Sequence, residues 1–294
     1  MTSSVRAVIK TLRPHQWVKN LFVAAPLVFA KHLIDEGYAV RAALAVAAFC
    51  ALSGAVYAFN DVRDVDADRA HPTKRHRPIA AGALSLHAAM VLAAVLATAG
   101  LATAFALAPM AGVWAGVYLA QNLAYSLKLK QVAFVDVVLI AAGFILRVLA
   151  GGAAIAVAPS PWLLICTGLL AMFLALGKRA HELARARLAG RDVGTTRAAL
   201  AGYRPRAVQL GMIALAVATI GAYLAYTLDP HTIEFFGTRK LPWSAPFGAI
   251  GIARFAQLAL RSSGEDSPTD AMLRDPVFLL NLLAWVVVIL SIVY

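Results

Sequence analysis

Acidic side chains are scarce in this sequence, 15 Asp and Glu against 27 Lys and Arg, and charged residues of both signs fill only 14% of its 294 positions. A soluble domain carries about a quarter of its residues charged, so the deficit excludes water as the main solvent. Cysteine is nearly absent: Cys50 and Cys166 each lie inside an apolar run with no Cys or His close in sequence, which argues against a disulfide or a structural zinc site. Period-two alternation is missing from the apolar runs. Backbone polar groups in lipid must be bonded within a helix or a closed barrel, so helices remain. No cleavable signal peptide is expected, because a long basic arm precedes the first apolar stretch and no small-residue cleavage site follows it.

What the chain has is apolar length, with 61% hydrophobic residues and a mean hydropathy of +0.74. Its apolar blocks come close to the ~20 residues that cross a hydrocarbon core. They read as spans at residues 17–29, 40–59, 84–107, 110–127, 134–157, 161–176, 208–227, 243–260 and 277–294. The expectation is an all-α polytopic membrane protein of about nine transmembrane helices, forming a single domain over residues 1–294. Most of the Lys and Arg fall before the first span and after the even-numbered ones, as in Arg63, Lys74 and Arg77 after the second and Lys178, Arg179 and Arg185 after the sixth. By the positive-inside rule the N-terminus is cytoplasmic. The net charge of +12 then reflects topology and attraction to anionic lipid, with no nucleic acid implied.

Chemistry concentrates after the second span, where Asn60, Asp61, Asp64, Asp66 and Asp68 fall within nine residues. Asp61, Asp64 and Asp68, at i, i+3 and i+7, share one face of a helical extension, and Asp66 points roughly 200° away from Asp64. Converging carboxylates repel unless a cation joins them, and magnesium takes hard oxygen ligands while completing its shell with phosphates. A merely solvated acidic loop would not be followed at once by Lys74, Arg75 and Arg77. Acid beside base is what a metal-diphosphate needs: carboxylates hold the metal, and basic groups neutralise the remaining oxygens as diphosphate departs. Asp136 and Arg147 lie within the fifth span. Intramembrane ionisable groups line cavities or pair with one another; Asp136 is expected to hold a lysine or a second metal, and Arg147 a phosphate or an interhelical partner. Gly143, Gly151 and Gly152 are expected to permit close helix packing.

The pattern N-D-x-x-D-x-x-x-D, standing as Asn60, Asp61, Asp64 and Asp68, resembles the first signature of the UbiA superfamily of intramembrane prenyltransferases. The likeness covers essentially the whole chain in span count and orientation. That superfamily carries a second motif, D-x-x-x-D, after the sixth helix, where this chain has Lys178-Arg179-Ala180-His181-Glu182. The stretches Arg13-Pro14-His15-Gln16-Trp17-Val18-Lys19-Asn20, Pro72 to Ile79, Tyr125-Ser126-Leu127-Lys128-Leu129-Lys130 and Gly177-Lys178-Arg179 are similar to a branch that joins phosphoribose to a polyprenyl phosphate. The resemblance implies a magnesium-dependent phosphoribosyltransferase with phosphoribosyl diphosphate as donor and decaprenyl phosphate as acceptor, serving arabinogalactan synthesis in a mycobacterial-type cell wall.

By the same resemblance Asp61, Asp64 and Asp68 hold the metal and, with Lys178, Arg179 and Glu182, form the catalytic set. Substrate binding falls to Lys19, Asn60, Lys74, Arg75, Arg77, Tyr125, Lys128, Lys130, Asp136 and Arg147. Residues 60–83 and 178–206 form active-site loops facing the cytoplasm from the cell membrane, and a homo-oligomer is left open. Replacing acid by Lys178 and Arg179 suits a donor and acceptor that bring extra phosphates. The alternative is a prenyltransferase using a polyprenyl diphosphate and an aromatic or haem acceptor, which predicts two carboxylate pairs. A transporter would show matched broken helices, and none is visible.

Overall fold

The structure, a computed structural model, describes residues 3–127, 129–188, 198–261 and 267–294, and every regular element among them is helical. Thirteen α-helices follow one another among these residues: α1 (Ser3–Leu12), α2 (Ala25–Phe29), α3 (Glu36–Arg63), α4 (Val65–Ala70), α5 (Leu86–Leu107), α6 (Pro109–Leu127), α7 (Val135–Ala154), α8 (Pro161–Leu188), α9 (Pro205–Leu228), α10 (Pro230–Phe236), α11 (Ala245–Leu260), α12 (Pro268–Met272) and α13 (Pro276–Val293). Their boundaries follow local chemistry. Proline, whose missing N–H costs nothing in a first turn, opens α6, α8, α9, α10, α12 and α13. Side chains of Ser85, Asp229, Ser267 and Asp275 accept from backbone N–H groups at the starts of α5, α10, α12 and α13.

Among the described residues six helices, α3, α5, α7, α8, α9 and α13, are long and apolar enough to cross a membrane. The first apolar stretch departs from the expected continuous helix. Residues Pro14–Ala24 form a 3-10 segment that passes into the five-residue α2, far longer than the three or four residues usual for that conformation. Close packing accounts for part of this: a Cβ on Gly151 would stand 1.8 Å from the carbonyl oxygen of Val23, so α7 presses directly on this backbone. The eighth stretch contains a helix of 16 residues preceded by the 3-10 turn Leu241–Ser244. The sixth runs on as helix to Leu188, so Lys178, Arg179 and Glu182 stand on helix where a loop was expected.

Packing divides the chain into two units, Met1–Leu127 with Leu146–Pro159, and Lys128–Ile145 with Ser160–Tyr294. The first buries Val23, Phe49, Leu52, Tyr118 and Leu146 together, with alanines at most remaining positions. In the same unit Arg41 donates from Nε to the carbonyl of Ala154 at 2.7 Å and from Nη2 to that of Leu107, satisfying the carboxyl ends of two helices at once. The second unit is centred on Phe173, Leu176, Leu200, Val208 and Phe255. There a Cβ on Gly177 would lie 2.5 Å from the Phe255 ring, which fixes α8 against α11 just before Lys178.

Candidate active site

In the first unit the acidic motif straddles a kink. α3 ends at Arg63, Asp64 forms the joint, and α4 begins at Val65, while Asp64 still donates to Asn60 O at 2.9 Å and its carbonyl accepts from Asp68 N at 2.8 Å. The near-continuous turn keeps Asp61 and Asp68 on one side, each only 2% exposed. Asp66 points away, with its side chain 93% exposed beside Arg69, as the helical spacing predicts. Asp64 is half-buried.

The expected convergence of three carboxylates is not found: among the described residues, no three His, Cys, Asp or Glu side chains stand close enough to hold one ion, and two arginines contact the acidic pair. Arg77 Nη1 lies 3.1 Å from Asp61 Oδ1 and 2.7 Å from Asp68 Oδ2, and Arg13 Nη2 reaches Asp61 Oδ1 at 2.5 Å. Arg13 sits in the left-handed region, with φ 51° and ψ 63°, a conformation costing a non-glycine residue about 1–2 kcal/mol, which the ion pair helps to offset. Its side chain also stacks over Tyr57, 5.0 Å from the ring centre. The donor chemistry nonetheless suits a hard cation. It consists of oxygens throughout, and the adjacent Asn60 Oδ1 is buried with no hydrogen-bond partner. Both arginines retain a way out, with side chains 25% and 29% exposed.

The other expected residues of this unit fall into two groups. Lys74 and Arg75 are exposed on the 3-10 turn Lys74–His76, where the Lys10 ammonium donates to His76 O at 3.2 Å. Lys19 donates to Gln16 Oε1, and Tyr125 is half-buried in the last turn of α6. Arg147 lies deeper and pairs between helices: Nε donates to Asn20 Oδ1 at 3.0 Å and Nη2 to Tyr118 Oη at 2.8 Å. Asn20 in turn donates to Ser53 Oγ at 3.1 Å. Lys128 and the side chain of Lys130 lie outside the described residues.

A second charged cluster occupies the other unit. Asp136, fully buried, forms an ion pair with Arg179 Nε at 2.9 Å, and Arg179 Nη1 reaches Glu182 Oε2. Asp136, expected to hold a lysine or a second metal, thus has Arg179 among its partners. Glu182 engages Arg179 at i+3, and Lys178 is half-buried. Sequence reasoning missed Tyr203, whose hydroxyl donates to Asp136 Oδ1 at 2.5 Å and accepts from Phe134 N at 2.8 Å. Burial, and then the hydrogen bond to Asp136, push its phenol well above the ordinary tyrosine value, so it stays a donor. It also missed Arg13 as a partner of Asp61, although Arg13 opens one of the stretches that carry the family resemblance.

Comparison with known proteins decides the family. The model of the UbiA prenyltransferase family matches residues 21–283. The chain belongs to the UbiA family. Within the relatives of this UbiA chain, a decaprenyl-phosphate phosphoribosyltransferase from Mycolicibacterium smegmatis is 34% identical over 99% of the chain and 93% of the relative. One of the same name from Mycobacterium tuberculosis is 35% identical over 96% of the chain and 92% of the relative. Among solved structures, a UbiA homolog from Archaeoglobus fulgidus bound to DMAPP and Mg2+ superposes with a TM-score of 0.72 at 16% identity, covering 97% of this chain and 98% of that one. At that identity the likeness shows the shared UbiA fold. The chain is accordingly an integral membrane protein.

Proposed function

We propose that this protein transfers 5-phosphoribose from phosphoribosyl diphosphate to decaprenyl phosphate, releasing diphosphate, at the cytoplasmic face of the cell membrane, and so supplies arabinogalactan precursor synthesis. The observation that carries the reading is the likeness to two enzymes of that name over nearly the full length of both. The charge pattern agrees with it. Asp61, in the last turn of α3, and Asp68, on α4, stand with Arg13 and Arg77 near the exposed Lys74 and Arg75 in sequence, a mixture suited to several phosphates.

In the reaction the bond from the anomeric carbon to diphosphate breaks and a bond to the lipid phosphate oxygen forms, through a centre of oxocarbenium character. The attacking oxygen is already ionised at neutral pH, so no general base is needed, and catalysis rests on positioning and electrostatics. Asp61, Asp64 and Asp68 would hold magnesium, with Asn60 Oδ1 a further oxygen donor. Bound there, magnesium supplies positive charge to the departing diphosphate. Arg13 and Arg77 would release their carboxylates and turn to phosphate oxygens, and Lys74, Arg75 and Lys178 would bind further phosphates. Arg179, Glu182 and Asp136 would act by fixing the helix that carries Lys178.

The test is to offer the purified protein, in lipid nanodiscs with decaprenyl phosphate and an aromatic acceptor, phosphoribosyl diphosphate and a polyprenyl diphosphate side by side. Phosphoribosylated lipid with release of one diphosphate is expected. Prenylated acceptor without phosphoribosyl transfer would overturn the reading in favour of a prenyltransferase.

A further inference from the structure

Each charged cluster sets two carboxylates on one arginine, and that arginine is partly exposed in one cluster and buried in the other. In one, Asp61 and Asp68 share the guanidinium of Arg77. In the other, Asp136 and Glu182 share that of Arg179. Arg77 is 29% exposed in its side chain, whereas Arg179 is 1% exposed and Asp136 fully buried. The second cluster is also braced from behind: Tyr203 occupies the remaining oxygen of Asp136, and Tyr203 is itself fixed by the Phe134 N–H.

A divalent ion can enter a carboxylate pair only where the resident cation can leave. Arg77 and Arg13 can leave toward solvent, where water replaces what their guanidinium groups give up. Arg179 would have to leave a buried position, abandoning the fully buried Asp136 there while Glu182 is 25% exposed, and a buried charge without a counter-charge is heavily penalised. We infer that Arg179 is a built-in, permanent cation for an acidic pair assembled across α7 and α8, so that this chain binds a single divalent ion, at Asp61 and Asp68, and none at Asp136 and Glu182. The inference rests on the proposal that Asp61 and Asp68 hold magnesium. It makes Asp136, Arg179, Glu182 and Tyr203 positioning residues. It also locates a second carboxylate pair that sequence spacing hides, because its members sit on different helices.

Manganese, standing in for magnesium, can be counted by electron paramagnetic resonance on the full chain in nanodiscs with inorganic diphosphate present. The wild type should hold one ion per chain. Asp136→Asn and Glu182→Gln should leave that count unchanged and the Kd within about twofold, while Asp61→Asn should weaken binding by about tenfold or more. Arg179→Ser, which vacates the second pair, should raise the count to two, and Arg179→Lys should keep it at one. Two ions in the wild type, or loss of an ion in a folded Asp136→Asn variant, would overturn the inference. Undiminished binding in Asp61→Asn with Asp136→Asn also silent would sink the magnesium assignment at the first pair instead. Should Arg179→Ser fail to fold, the Asp136→Asn and Glu182→Gln counts decide the matter alone.

Discussion

At the scale of single residues, exposure separates neighbours that look alike in sequence. Asp61 and Asp68 are nearly sealed and ion-paired, whereas Asp66 lies open to solvent. Asp61→Ala and Asp68→Ala are expected to abolish turnover, and Asp66→Ala to change kcat/KM by less than about twofold, read in one purified-enzyme assay. Lys178 and Arg179 should diverge in the same way. On the proposed role of Lys178 as a phosphate ligand, Lys178→Ala should cost about 1.5–3 kcal/mol of substrate use, one to two powers of ten in kcat/KM. Arg179→Ala strips a buried ion pair and should lower stability by about 3–5 kcal/mol, so its signature is a fall in Tm. Equal loss of Tm in both variants would refute the distinction. The closeness of Arg77 to Asp61 and Asp68 was legible in the sequence because the three lie within one stretch of chain. Arg13 and Tyr203 were not, since their partners lie 48 and 67 positions away and nothing local marks either residue as charged-site machinery.

At the scale of elements, proline and capping side chains made the helix starts legible, and hydropathy located the cores of the long spans. The 3-10 course of Pro14–Ala24 escaped notice because it answers to a neighbour, the Gly151 surface of α7, which no local rule contains. Gly151→Ala drives a methyl into the Val23 carbonyl and should destabilise the protein by about 1–3 kcal/mol, as overpacking does, measured as a drop in Tm in detergent; an unchanged Tm would show that the backbone there yields freely. A separate device joins α11 to α13. Asp275 accepts Phe278 N at the start of α13 and takes two bonds from Arg254 at 3.0 and 2.7 Å. The Arg254 hydrogen bond holds the Asp275 carboxyl below the ordinary carboxylate range. A depressed folded value means that its stabilisation is present above about pH 4, the unfolded value, and is lost as pH falls through the folded one. The acid-induced decline in Tm should therefore be shallower in Asp275→Asn than in the wild type, and parallel curves would refute the link.

At the scale of the whole molecule, the charge pattern predicts sides through the positive-inside bias. Single-cysteine variants Thr73→Cys and Arg239→Cys, in a background lacking Cys50 and Cys166, should label from opposite faces with a membrane-impermeant maleimide. Thr73→Cys should react only in inside-out vesicles, and Arg239→Cys only in right-side-out ones; labelling of both from one face would refute the orientation.

Arg41 adds a consequence in time. Its guanidinium joins the end of α5, 66 residues on, to the end of α7, 113 residues on. At about 5–20 residues per second of synthesis, the second of those carbonyls emerges roughly 6–23 s after Arg41 itself. Throughout that interval the arginine is a cation awaiting a partner that has not yet been made, and whatever shields it meanwhile, headgroup, water or insertion machinery, must yield when Ala154 arrives.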